Sequence, residues 1–152
     1  MSTRSLIGIA APDGSVRAVY CHFDGYIEGV GATLLRHYNS EEKARELLDL
    51  GDLSSLGERI APAPGEDHSF DHPVDDVTVA YHRDRGEKLS PAKLFESKVK
   101  MAKEGEGRFW AEYCYVWENG EWQVAMTMKP VYMPVADALD KIAAAKEKEV
   151  EE

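Results

Sequence analysis

Two runs of alternating residues constrain this chain more than any other feature. Along Arg108–Trp117, the side chains of Phe109, Ala111, Tyr113, Tyr115 and Trp117 fall on one side of an extended strand. Along Trp122–Met128, Trp122, Val124, Met126 and Met128 do the same. Between them stands Glu118-Asn119-Gly120-Glu121, and Asn-Gly supplies the positive backbone angles of a tight hairpin turn. The pattern predicts an antiparallel hairpin whose cross-strand aromatic pairs fix the register.

A second hairpin is predicted near the start. Leu6–Ala10 reads as a strand, Pro12-Asp13-Gly14 as a turn and Val16–Phe23 as the returning strand. Both faces of that second strand are mostly apolar, so it should be covered on both sides. Ala32–Tyr38 reads as a short helix. Ser40 is a good N-cap for a second helix, with Glu41 and Glu42 in the first turn, an apolar stripe of Ala44, Leu47 and Leu48, and a stop at Gly51. Asp52–Gly57 reads as a compact turn pinned by two leucines.

Residues 61–76 hold three prolines, one glycine and five acidic residues, which predicts a surface loop. Val77–Arg83 reads as a strand. Ser90-Pro91 has the form of a cap followed by a first-turn proline, predicting a helix to about Lys103. A last amphipathic helix is expected over Pro134–Lys146, followed by a charged tail, 147–152, that frays into solvent. The element order is ββ-αα-β-α-ββ-α. It predicts one α+β domain over 1–146, with an antiparallel sheet of about five strands and helices packed on one face.

Composition limits the function. The chain has 152 residues and a formal net charge of −10. No basic block is present to neutralise a phosphate backbone, so direct binding along a nucleic acid is not expected. A nucleotide in one local pocket, a basic protein partner, or carboxylates mimicking DNA all remain compatible with the charge. Cys21 and Cys114 lie inside apolar runs and read as buried small hydrophobes. The first residues do not read as a signal peptide, and no apolar run has the length of a membrane span. A soluble, cytoplasmic protein without a cofactor is expected.

Two polar segments stand out. The first is Tyr20–Gly31, where His22, Asp24, Tyr26 and Glu28 accompany Gly29 and Gly31. A strand end there delivers an imidazole and a carboxylate, and the glycines would let backbone approach a phosphate or carboxylate. The alternative is a tight strand-to-helix turn with His22 hydrogen-bonded near the core. The second is His82, Arg83, Asp84 and Arg85 before Gly86. Strand alternation would put His82 and Asp84 on one side, and Arg83 and Arg85 together on the other as an anion clamp. The same arginines could instead pair with the chain's many carboxylates. His-Arg-Asp matches a kinase catalytic loop in letters only, because the other kinase motifs are missing.

His68 and His72 have a metal-binding spacing only on a helix. Pro73 argues against one, so a solvated loop and no metal site are expected. No nucleophile motif occurs, and no catalytic residue is assigned. An enzyme would need His22 and His82, or Asp24 and Asp84, on neighbouring strands.

Several blocks carry a family resemblance. Met1–Ile9, Tyr20–Gly31, Leu34-Leu35-Arg36-His37-Tyr38, Leu50–Leu56, Ala80–Glu87 and Glu112–Trp117 are similar to blocks of a set of small proteins carried by tailed bacteriophages and prophages. The resemblance implies expression in the cytoplasm of an infected bacterium and brings no activity with it. The leading expectation is a non-enzymatic accessory protein that binds, and inhibits, a host or anti-phage defence component. Its target is a protein or a sequestered nucleotide-like ligand, held by His22, Asp24, Tyr26, Gly29, Gly31, His82, Arg83, Asp84 and Arg85. The alternatives are a small hydrolase or nucleotide-processing enzyme using His22, Asp24, His82 and Asp84, and an acidic DNA mimic. Self-association into a homo-oligomer would fit the aromatic strands.

Overall fold

A computed structural model describes residues 2–151, with side chains through Lys148. The strands are β1 (Ser5–Ala10), β2 (Val16–Cys21), β3 (Leu53–Ser55), β4 (Val79–Ala80), β5 (Lys93–Phe95), β6 (Tyr113–Glu118), β7 (Glu121–Met126) and β8 (Lys129–Pro134). The helices are α1 (Ala32–His37), α2 (Glu41–Asp49), α3 (Tyr81–Arg85), α4 (Lys98–Phe109) and α5 (Val135–Glu151). A π-helical turn, Ile27–Gly31, leads into α1.

The Asn119-Gly120 hairpin joins β6 to β7, with Glu118 opposite Glu121. Both turn residues have the positive φ that the tight connection needs, +53° and +78°. Trp117 meets Trp122 edge to face, with ring centroids 5.5 Å apart. The buried Trp122 indole donates to the Tyr38 carbonyl at 2.9 Å, so the hairpin also anchors the end of α1. Burying a side chain of this size contributes about 2–3 kcal/mol.

The first hairpin pairs β1 with β2, and β1 then lies parallel to β6, which fuses the two hairpins into one sheet. The strand order is β4-β3-β2-β1-β6-β7-β8, with β5 beside the first half of β2. Among the described residues the sheet has eight strands and is mixed, where about five antiparallel strands were expected. The β2–β3 pair is parallel because α1 and α2 carry the chain across between its strands, and β1 and β6 pair in parallel across the long segment from β2 to α4.

Helices cover both faces, not one. On one face α1, α2 and α5 pack on Ile7, Val19, Cys21, Tyr115, Trp122 and Val124. On the other, α4 packs on Leu6, Val16, Ala18, Cys114 and Val116. This follows from the doubly apolar character of β2 and of β6. Gly105 lets α4 approach the sheet, since a Cβ there would sit 3.0 Å from Leu6 Cδ1.

The capping signal at Ser40 holds, with its Oγ accepting from the Lys43 amide at 3.1 Å. The one read at Ser90-Pro91 does not. Residues 93–95 pair with β2 as strand β5, and α4 starts later, at Ser97, whose Oγ caps the Lys100 amide. That helix runs through Arg108 and Phe109, so the strand expected from Arg108 begins only at Tyr113. Leu53–Ser55 is a strand and not a turn, and β8 was not anticipated. The strand expected over Val77–Arg83 survives as two residues before α3 takes over. The charged end continues α5 as helix to Glu151, and Glu152 lies outside the described residues. Among the described residues no helix is long and apolar enough to cross a membrane.

Candidate functional site

The two polar segments flank β3 but leave it in opposite directions. Leu53 pairs with Cys21 of β2 on one side and with Ala80 of β4 on the other. Because β2 runs with β3 and β4 runs against it, His22 and Phe23 leave beside Leu53 and Ser54, while Tyr81 leaves beside Asp52. None of His82, Arg83, Asp84 and Arg85 lines the hollow that His22 enters.

In the first segment the glycine turn is folded on itself. The Gly29 and Val30 amides donate to the carbonyls of Tyr26 and Asp24. A Cβ on Gly29 would collide with the Asp24 carbonyl, and one on Gly31 would stand 3.2 Å from Tyr115 Cε1. The buried Tyr115 hydroxyl donates to Gly25 O at 2.6 Å. Gly29 lets the turn close on Asp24, and Gly31 lets it pack against Tyr115 of β6. Asp24 and Tyr26 are exposed beside the turn, outside the hollow.

His22 points to the α4 face, into a hollow of about 370 Å³ lined by Arg4, Tyr20, His22, Asp52, Arg108, Phe109 and Trp110. Its Nδ1 lies 2.7 Å from the Tyr20 hydroxyl and its Nε2 3.2 Å from Ser2 Oγ. Burial, and then the Arg4 charge, hold the imidazole below its ordinary value. Burial pushes the Tyr20 phenol up, with Arg4 opposing.

Cations and aromatic rings are interleaved around this hollow. The Arg4 guanidinium sits 5.5 Å from the Trp110 ring centroid, and that of Arg108 sits 5.3 Å from Phe109. Lys93 Nζ is also 5.3 Å from Phe109 and reaches Asp52 Oδ2 at 3.4 Å. Trp110 is 72% exposed and holds a left-handed φ of +54° where α4 ends, a conformation that costs a non-glycine residue about 1 kcal/mol. Asp52 is the one carboxylate in the lining, and its Oδ1 accepts from the Tyr20 amide at 3.0 Å.

The second segment is an internal clasp. Asp84, with its side chain 4% exposed, accepts from the Ala80 amide at 2.8 Å and from Arg83 at 2.9 Å and 3.0 Å. Arg83 also donates to the carbonyls of Ile60 and Thr78, both at 2.6 Å. Burial pushes the Asp84 carboxyl up, but Arg83, the Ala80 amide and His68 pull harder and hold it below its ordinary value. Helical geometry in α3 parts Arg83 from Arg85, so the side-by-side clamp expected from strand alternation does not form. Arg85 instead pairs with Glu87 and covers Phe70, and exposed His82 meets the Glu87 carbonyl at 2.6 Å.

The clasp also closes the acidic loop. His68, expected in solvent, has its side chain 1% exposed. The Val74 amide donates to its Nδ1, and its Nε2 lies 3.2 Å from Asp84 Oδ2 at an angle short of a hydrogen bond. Arg59 binds Asp76 and Glu66, tying the two ends of the loop together. Cys21 and Cys114 are free and buried, and burial pushes both thiols up to about 12, as inert core residues should be.

A larger hollow of about 690 Å³ lies on the opposite face, between α2 and the first hairpin. Its apolar floor includes Ile9 and Leu48. Its charges offset one another, with Arg45 pairing with Glu41 at 3.3 Å and Asp49 in the same lining as Arg17. The smaller hollow is chemically the more distinctive.

Of the nine residues expected at a site, His22 alone enters the cation- and aromatic-lined hollow. Arg4, Asp52, Arg108 and Trp110 were missed. The adjacent run Arg108-Phe109-Trp110 carried the signal, but it was read as the start of a strand. No family model, curated protein or solved structure matches the chain. Fold and site together define a mixed α+β protein with a cationic, aromatic depression beside β2.

Proposed function

We propose that the protein acts by binding, and that it sequesters a small anion carrying an aromatic ring, a nucleotide-like ligand, in the hollow around His22. One observation carries this reading. A chain with a net charge of −10 gathers Arg4 and Arg108, with Lys93 beside them, around exposed Trp110 and half-buried Phe109 and Tyr20. Cations answer a phosphate, and ring faces answer a base, whatever its sequence context. The phage-borne origin expected from its sequence blocks would fit a role in which a host or defence signal is withdrawn from use inside the infected cell. Thermal denaturation with a panel of nucleoside mono- and diphosphates and cyclic dinucleotides tests it. The expected result is a melting temperature that rises with ligand concentration and stops rising in R4A/R108A. No stabilisation by any member of the panel would contradict the reading.

A hydrolytic reading has a separate observation in its favour. Ser2 Oγ and the Tyr20 hydroxyl flank the two nitrogens of His22 at 3.2 Å and 2.7 Å, as a nucleophile and an orienting group flank a general base. It predicts turnover of an activated ester that is lost in S2A and in H22A. Absence of turnover, or turnover unchanged in S2A, would dismiss it.

A further inference from the structure

An anion site does not gain from a carboxylate in its wall, yet Asp52 lines this one. Its Oδ1 accepts from the Tyr20 amide at 3.0 Å and from Lys93 Nζ at 3.5 Å. Its Oδ2 has only the long contact to Lys93 at 3.4 Å, with the side chain 21% exposed. An ionised carboxylate accepts hydrogen bonds and donates none. It repels a ligand that presents acceptors there and rewards one that presents donors.

Resting on the binding function proposed above, we infer that the ligand is a guanine mononucleotide, with Asp52 reading the edge of the base. Guanine carries two adjacent donors, the N1–H and the N2 amino group, which match the two oxygens of one carboxylate. Adenine and cytosine set a ring acceptor beside their amino group, and uracil sets its single donor between two carbonyls. Trp110 offers an uncovered ring face, since Arg4 covers only one side. Arg4 and Arg108 receive the phosphate. The volume, about 370 Å³, lies near the lower limit of small-molecule sites, about 300–1,000 Å³, and suits one nucleotide better than two.

Titration calorimetry with GMP, IMP and AMP, supported by quenching of Trp110 fluorescence, tests the inference on the unmodified chain. GMP should bind about tenfold tighter than AMP, with IMP, which lacks the N2 amino group, in between. D52N keeps an oxygen for the Tyr20 amide and should bring GMP and AMP to equal affinity. If GMP and AMP bind equally, or AMP binds better, while R4A/R108A abolishes both, the guanine inference fails and the anion-binding function stands. If none of the three binds at millimolar concentration, the guanine inference fails, and the binding function fails with it only if no member of the wider nucleotide panel stabilises the chain. The ranking in the unmodified chain decides the matter even if D52N does not fold.

Discussion

The hollow around His22 and the clasp around Asp84 use the same residue types to opposite ends. Each combines a histidine, arginines, a carboxylate and aromatic rings, one at the end of β2 and the other after β4, the two strands that flank β3. In the clasp the carboxylate is 4% exposed and is met by an amide, a guanidinium and an imidazole. In the hollow the guanidinia rest on ring faces, Trp110 is 72% exposed, and Asp52 keeps an oxygen with one long contact. Saturated polar groups stabilise a fold, and unsaturated ones at the surface remain available to a ligand. Composition cannot separate the two cases; local geometry does.

Removing the Asp84 carboxylate should break the comparison most sharply. D84A leaves the Ala80 amide without its acceptor and Arg83 with less than its share of partners. A loss of about 3 kcal/mol is expected in urea unfolding, because removing one side of a buried pair strands the other. H22A should change stability by less than about 1 kcal/mol while weakening ligand binding.

The pair R4A/R108A should reverse that pattern. Both side chains lie at the surface hollow, so stability should move little, and nucleotide affinity should fall at least about tenfold in calorimetry. A stability loss comparable to that of D84A would show that the hollow is structural after all.

Acid titration separates the regions by pH window. The folded His22 imidazole binds protons less readily than the unfolded one, so stability is full above about pH 6.5 and falls as pH drops through the folded value. H22N should flatten that step. The folded Asp84 carboxyl is likewise depressed, so its contribution is present above about pH 3.8 and is lost below, in a step absent from D84N. A His22 step of the opposite sign would contradict the assigned environment.

The smallest change in stability is expected at Trp110. W110G removes a left-handed non-glycine residue and should stabilise by at most about 1 kcal/mol, offset by loss of the Arg4 contact. Ligand binding should nonetheless fall.

What could be read from the sequence follows from how local each signal is. The Asn119-Gly120 and Asp13-Gly14 hairpins, the Ser40 cap and the two-faced burial of β2 are written within a few residues, and all of them stand. β3 and β5 hold three residues each, too few for periodicity to register, and exist because β2 offers edges to pair with, while β4 keeps two residues of a longer expected strand and pairs with β3. The proline after Ser90 imitated a helix start because a cap signal does not say whether a neighbouring strand will claim the next residues. At the site, His22 was visible as an imidazole on a strand end. Arg4, Asp52 and the Arg108–Trp110 pair come from three separate stretches that only the sheet and α4 bring together. Arg83 and Asp84 looked free because their partners Ile60 and Thr78 flank, and His68 lies within, a loop whose composition argued for solvent.

The central claim is tested most directly by mapping amide chemical shifts during titration with GMP. Saturable shifts should gather at Arg4, Tyr20, His22, Asp52 and Arg108–Trp110, and leave Arg83–Arg85 and His68 unmoved. Shifts centred on the Arg83–Arg85 clasp, or none at millimolar nucleotide, would contradict the account.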